Sequence, residues 1–153
     1  MKILVSACLL GLSCRYDGKT KPVDGIDRLQ EQHTLIPFCP ECMGGLPTPR
    51  PPAEIVGDRV INKEGVDVTA AYHRGAAETL RLIQMLGCDC AILKEKSPSC
   101  GHGQVYDGTF SGTLTAGDGI TAALLTANGI PVYGESRIED GQLPSLDTAK
   151  AKR

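Results

Sequence analysis

With 153 residues, 41% of them hydrophobic and 22% charged, and a net charge of −2, the chain has the composition of a soluble globular protein and the length of one domain. No basic stripe interleaved with aromatics runs along it, which argues against duplex nucleic acid as a general partner. No apolar run approaches the roughly 18 residues that a membrane span requires, so a cytoplasmic protein with reduced thiols is expected.

The opening MKILVSACLLG reads as a first strand over 2–7, not as a signal peptide. After the turn-rich segment 11–22, a short helix is predicted over 25–33 and a second strand over 34–39. Pro37 argues against a fully paired central strand there. Residues 40–52 hold five prolines and two glycines and predict no regular helix. Residues 54–69 read as a hairpin turning at Gly57-Asp58. A helix over 69–87 follows, with Thr69 as N-cap, Gly87 as its stop, and Ala76, Leu80, Ile83 and Leu86 at helical spacing. A buried strand at 90–94, a Gly-rich segment at 101–119, a helix at 118–129 and a last strand at 130–136 complete the series. Strands alternating with helices predict a Rossmann-like three-layer α/β sandwich: a mainly parallel sheet of about four strands plus a small hairpin. One domain is expected over 1–146, with a basic tail at 147–153.

In open parallel sheets ligands bind beyond the carboxyl ends of the strands. Cys8 ends the first strand, Cys39 the second, Cys100 lies just past the third, and Glu135 and Ser136 end the fourth, so three distant cysteines are expected to converge on one edge. Cys88 and Cys90 start their strand on the opposite edge. Four uses compete for the seven cysteines, whose odd number and reducing compartment disfavour a disulfide framework. They can be core thiols. They can hold zinc through Cys8, Cys39, Cys42 and Cys100. The CPEC segment can perform thiol–disulfide exchange, although no long helix starts there. Cys8, Cys39 and Cys100 can hold a [4Fe–4S] cluster with one iron left open. Spacing alone does not choose among these.

The segments SACLLGLSCRYDG (6–18), CPECMGGLPTPRPPAE (39–54) and LKEKSPSCGHGQVYDGTFSG (93–112) resemble the signature segments of the small bacterial thiouracil desulfurase family, over roughly residues 2–145. The resemblance implies removal of sulfur from thiouracil to give uracil, with an oxygen-sensitive [4Fe–4S] cluster bound by Cys8, Cys39 and Cys100. Carried over by motif, Glu41 and Ser97 are the catalytic side chains, and the partner is a small thiolated nucleobase. Cys14 also matches the pattern and is read as supporting the site without ligating; Cys42 falls in a more variable slot. The alternative is a non-enzymatic zinc or iron–sulfur binding module whose last position is filled by a protein ligand. Arg50 is expected either to contact substrate or to lie on the surface, and Gly101 and Gly103 to let backbone approach the cluster.

Overall fold

The computed structural model describes residues 1–139, so the expected basic tail at 147–153 lies outside the described residues. Four strands, β1 (Lys2–Ser6), β2 (Thr34–Phe38), β5 (Cys90–Leu93) and β8 (Val132–Gly134), form a parallel sheet in the order β2-β1-β5-β8. Pro37 sits within β2 opposite Val5. It is tolerated because β2 is an edge strand, where a missing N–H costs no second ladder.

Alternate residues of the two central strands feed two cores. Ile3, Val5, Cys90 and Ile92 face Leu29 of helix α1 (Ile26–Gln32) and Ile138 of α5 (Ser136–Glu139). Leu4, Ala91 and Leu93 face Ile83 of α3 (Thr69–Leu86) together with Ala122 and Leu125 of α4 (Ile120–Ala127). Each fully buried aliphatic side chain here contributes about 1.5–3 kcal/mol. The near-continuous apolar runs of β1 and β5 are what a sheet covered on both faces requires, and the three-layer α/β sandwich is as the alternation of elements predicted.

Two small hairpins flank the sheet. Strands β3 (Ala53–Val56) and β4 (Arg59–Asn62) turn at Gly57-Asp58, with Gly57 in the left-handed region (φ 65°). Strands β6 (Gln104–Tyr106) and β7 (Leu114–Ala116) form a second hairpin inside the Gly-rich segment 101–119, for which the sequence predicts no strand. Three-residue strands between glycines carry too little periodicity to be seen in sequence.

The segment 40–52 also holds a single helical turn, α2 (Pro40–Met43), entered from Cys39. Pro40 is compatible because the first helical position needs no N–H. Two glycines let this turn touch α3 backbone to backbone: a Cβ on Gly44 would lie 2.0 Å from the Ala71 carbonyl oxygen, and one on Gly75 would lie 2.0 Å from that of Pro40. This contact presses the α2 turn, and Glu41 with it, against the Tyr72 end of α3. Gly87 ends α3 in the left-handed conformation as expected (φ 68°), but Thr69 is not its N-cap. Val68 holds that position, while the Thr69 hydroxyl accepts the Val60 N–H at 2.8 Å and Asp67 accepts the Thr69 N–H at 2.9 Å. The threonine ties the helix start to the first hairpin. Among the described residues no helix is long and apolar enough to cross a membrane.

Candidate active site

A cavity of about 400 Å3 opens where β1, β2 and β5 run out into loops. Cys8 reaches it from a 3-10 turn (Ala7–Leu10) that follows β1 directly, Cys39 from the junction of β2 and α2, and Cys100 from the loop after β5. The expected convergence of these three cysteines is therefore present. Cys14 joins them in the wall, its thiol within hydrogen-bonding reach of those of Cys8 and Cys39. Cys42 is outside the lining, held under Arg50 with its sulfur 3.4 Å from the Thr48 hydroxyl and 3.9 Å from the guanidinium. Cys88 and Cys90 are wholly buried at the other end of the sheet. None of the seven is in a disulfide.

Burial and mutual contact favour the protonated forms of Cys14, Cys39 and Cys100. Burial pushes Cys100 up to about 12, outweighing the hydroxyl of Ser6. Contact with Cys39 pulls Cys14 down, but contact with Cys8 and burial win and leave it at about 11. Contact with Cys14 and then burial raise Cys39 further. Thiols in this condition become ligands only when a cation takes the place of their protons.

Glu41 and Ser97 meet across the same cavity. The Ser97 hydroxyl accepts the N–H groups of Ser99 and Cys100, both at 3.0 Å, and donates toward Glu41 Oε1 at 3.4 Å. It thus acts as a turn serine and as a partner of the carboxylate at once. Arg50 is not a surface residue: its side chain is 5% exposed, and Nε donates to Glu41 Oε2 at 2.9 Å. The rest of the guanidinium bonds the carbonyls of Cys14 (3.0 Å) and Pro47 (3.2 Å) and the Thr48 hydroxyl (3.1 Å). One planar fork thereby joins the loop of Cys14, the α2 turn and the Pro-rich segment. Tyr72 brings a third donor within reach of Glu41; burial, and then the carboxylate itself, pushes its phenol well above the usual tyrosine range.

Neither the Arg50 pairing nor the Tyr72 contact was legible in the sequence, since nothing local distinguishes Tyr72 from a core residue of an amphipathic helix. Gly101 and Gly103 are each required by the loop's own backbone. A Cβ on Gly101 would meet the Ser97 and Gln104 carbonyl oxygens at 2.7 and 2.8 Å, whereas Gly103 has open space and a φ of 86°. Both shape the loop itself. Glu135 stitches the end of β8 to the loop after β5 through Lys94 (3.1 Å), and Ser136 does so through Glu95 (2.7 Å).

A cleft with four thiols and a triply held carboxylate, at the carboxyl edge of a parallel sheet, defines an α/β protein with its chemistry-bearing residues where such sheets bind ligands. Residues 3–137 match the 2-thiouracil desulfurase family, and the chain belongs to that family. It is 43% identical over 148 residues to a Bacillus subtilis (strain 168) protein, "Uncharacterized protein YbbK", a match covering 90% of this chain and 98% of the relative. A solved structure of the [4Fe–4S]-dependent thiouracil desulfidase TudS superposes with a TM-score of 0.87 at 47% identity, covering 98% of this chain and 97% of that one. The family is thus one of enzymes, and that neighbour depends on a [4Fe–4S] cluster.

Proposed function

We propose that this chain removes sulfur from a thiolated pyrimidine base, converting thiouracil to uracil, with a [4Fe–4S] cluster held by Cys8, Cys39 and Cys100. The observation that carries this reading is that four thiols and the Glu41–Ser97 pair face one cavity. Among the described residues no three of these side chains are already gathered closely enough to hold a single metal ion, but the thiols that line the cavity are of the ligand type that iron–sulfur clusters take. When bound, a cluster with three protein ligands supplies an open, thiophilic, Lewis-acidic iron that polarises the carbon–sulfur bond.

The reaction balances as a hydrolysis: water supplies the new oxygen, the carbon–sulfur bond breaks, the sulfur leaves as hydrogen sulfide, and no electrons are gained or lost. The protein's part is proton management and positioning. Arg50 fixes one oxygen of Glu41, and Ser97 and Tyr72 approach it as donors, so the carboxylate is held in one orientation. From there Glu41 takes a proton from the water adding to the ring carbon and returns one to the departing sulfur. Ser97, locked by two backbone N–H groups, keeps Glu41 in register with the loop that carries Cys100.

The test is Glu41→Gln, reconstituted without oxygen. The variant should hold about four irons per chain and lose about 10²- to 10⁴-fold in sulfide release from 2-thiouracil. Full activity in that variant would refute the role given to Glu41. Cys14 in the cavity wall favours a second reading, a binding module in which a fourth thiolate closes the site. Under the desulfurase reading Cys14→Ser keeps its iron and its turnover; loss of iron there would favour the binding module.

A further inference from the structure

The chain has four tyrosines, two phenylalanines and no tryptophan, and all of them except Tyr133 line the cavity. Most of these rings have an ordinary reason for their position. Phe38 and Tyr72 pack against core clusters, Tyr106 lies in a strand, and Tyr16 carries the Arg15 guanidinium over its face. Phe110 has none. It sits at the tip of the β6–β7 hairpin, 36% exposed, and belongs to none of the three apolar clusters. Packing into one of those apolar cores therefore does not explain its placement.

Its backbone is also held where a phenylalanine resists going. Among the described residues, Phe110 and Lys96 are the non-glycine residues with positive φ, at 56° and 70°, and both line the cavity. Such a conformation persists only where the surroundings over-determine it. Here the surroundings do so through Glu54, a buried residue of β3, whose Oε1 accepts the N–H groups of Gly108 (2.9 Å) and Phe110 (3.2 Å). Gly108 completes the clamp: at φ 93° it lies so close to β3 that a Cβ would be 2.6 Å from the Ile55 carbonyl oxygen. Asp107 accepts both the N–H and the hydroxyl of Thr109, at 3.0 and 2.6 Å, which stiffens the tip from within.

We propose that Phe110 is the platform on which the flat, conjugated ring of the substrate stacks, and that Glu54 is the positioning residue that holds it over the cavity. The inference rests on the desulfurase reading for the identity of the ring and adds the group that selects it. Stacking needs a π-face on the ligand, so the site should discriminate conjugated pyrimidines from saturated rings with the same thiocarbonyl.

Binding is measured calorimetrically on cluster-loaded protein carrying Glu41→Gln, so that affinity is read apart from turnover. The probes are 2-thiouracil and 5,6-dihydro-2-thiouracil, which keeps the sulfur and loses the conjugated ring. With Phe110 present, 2-thiouracil should bind at least tenfold more tightly than the dihydro compound. Phe110→Leu should lower 2-thiouracil affinity about 10- to 100-fold and collapse that preference, with iron content unchanged; Phe110→Tyr should restore it. Glu54→Ala should reproduce the loss and Glu54→Gln should rescue it, because an amide oxygen still accepts both N–H groups. A preference that is absent with Phe110 in place, or that survives Phe110→Leu, overturns the inference. Sulfide release by the chain without substitutions decides the desulfurase reading independently, so the two fail separately.

Discussion

The two ends of the central sheet treat the same residue in opposite ways. At the amino end, Cys88 and Cys90 are 0% exposed and sit in opposite apolar cores, Cys90 with Ile92 on one face and Cys88 with Ile83 on the other. At the carboxyl end, Cys8, Cys14, Cys39 and Cys100 line a cavity with a fixed carboxylate beside them. The difference lies in topology, not in the residue. Parallel strands all finish at one edge, and the chain leaves that edge in loops whose backbone can be shaped by glycine, proline and caps. The opposite edge is closed here by local ties, such as Lys2 Nζ donating to the Leu86 carbonyl at 2.7 Å and Asp89 accepting the Lys2 N–H at 2.9 Å. A thiol at the first edge faces a cavity, and one at the second is packed into a core.

The largest effect that would sharpen this contrast is on cluster content. Cys39→Ala should reduce iron from about four per chain to well below one after anaerobic reconstitution, whereas Cys90→Ala should retain about four. Iron lost from a folded Cys90→Ala protein would break the comparison. Next comes Arg50→Lys, which keeps a charge but loses the planar fork that reaches Glu41, Thr48, Pro47 and Cys14 together. Turnover should fall about 10- to 100-fold with iron retained; unchanged turnover would show that Glu41 needs no such clamp.

A smaller effect is expected at the amino end. Cys90→Ala should lower stability by about 1 kcal/mol in urea titrations, the scale of a small cavity in a packed core, while sulfide release per iron stays the same. The smallest effect at ordinary pH concerns the protein stripped of metal with a chelator. Cys14 and Cys100 are raised from 9.0 to about 11 and about 12, so the fold favours their protonated forms. That contribution is fully present below pH 9.0 and is lost as pH rises toward those values. The thermal midpoint should therefore decline above pH 9.0, and the decline should flatten in Cys14→Ala. Equal steepness in both proteins would detach the effect from this edge.

Much of the architecture follows from local pattern. The apolar runs that became β1 and β5, the 3.6-residue spacing and Gly87 stop of α3, and the Gly57-Asp58 turn are signals carried within a few residues of one another. From their order a parallel sheet follows, and from the sheet the gathering of Cys8, Cys39 and Cys100 at one edge, because a strand's carboxyl end is known once its direction is. What the tertiary structure decided is the set of contacts between segments that carry no mark of each other. Arg50 donates to the Cys14 carbonyl 36 residues away, and Glu54 accepts the N–H of Phe110 56 residues away. Arg50 looks like a surface arginine, Glu54 like a strand carboxylate and Phe110 like a core ring until the β3–β4 hairpin, the α2 turn and the β6–β7 hairpin are packed around one cavity. Periodicity reports which face of an element is apolar; it does not report which partner that face or its neighbouring loop will meet. Those partners are chosen by packing across the whole chain, where burying a guanidinium or a carboxylate is tolerated only if the fold supplies its hydrogen bonds.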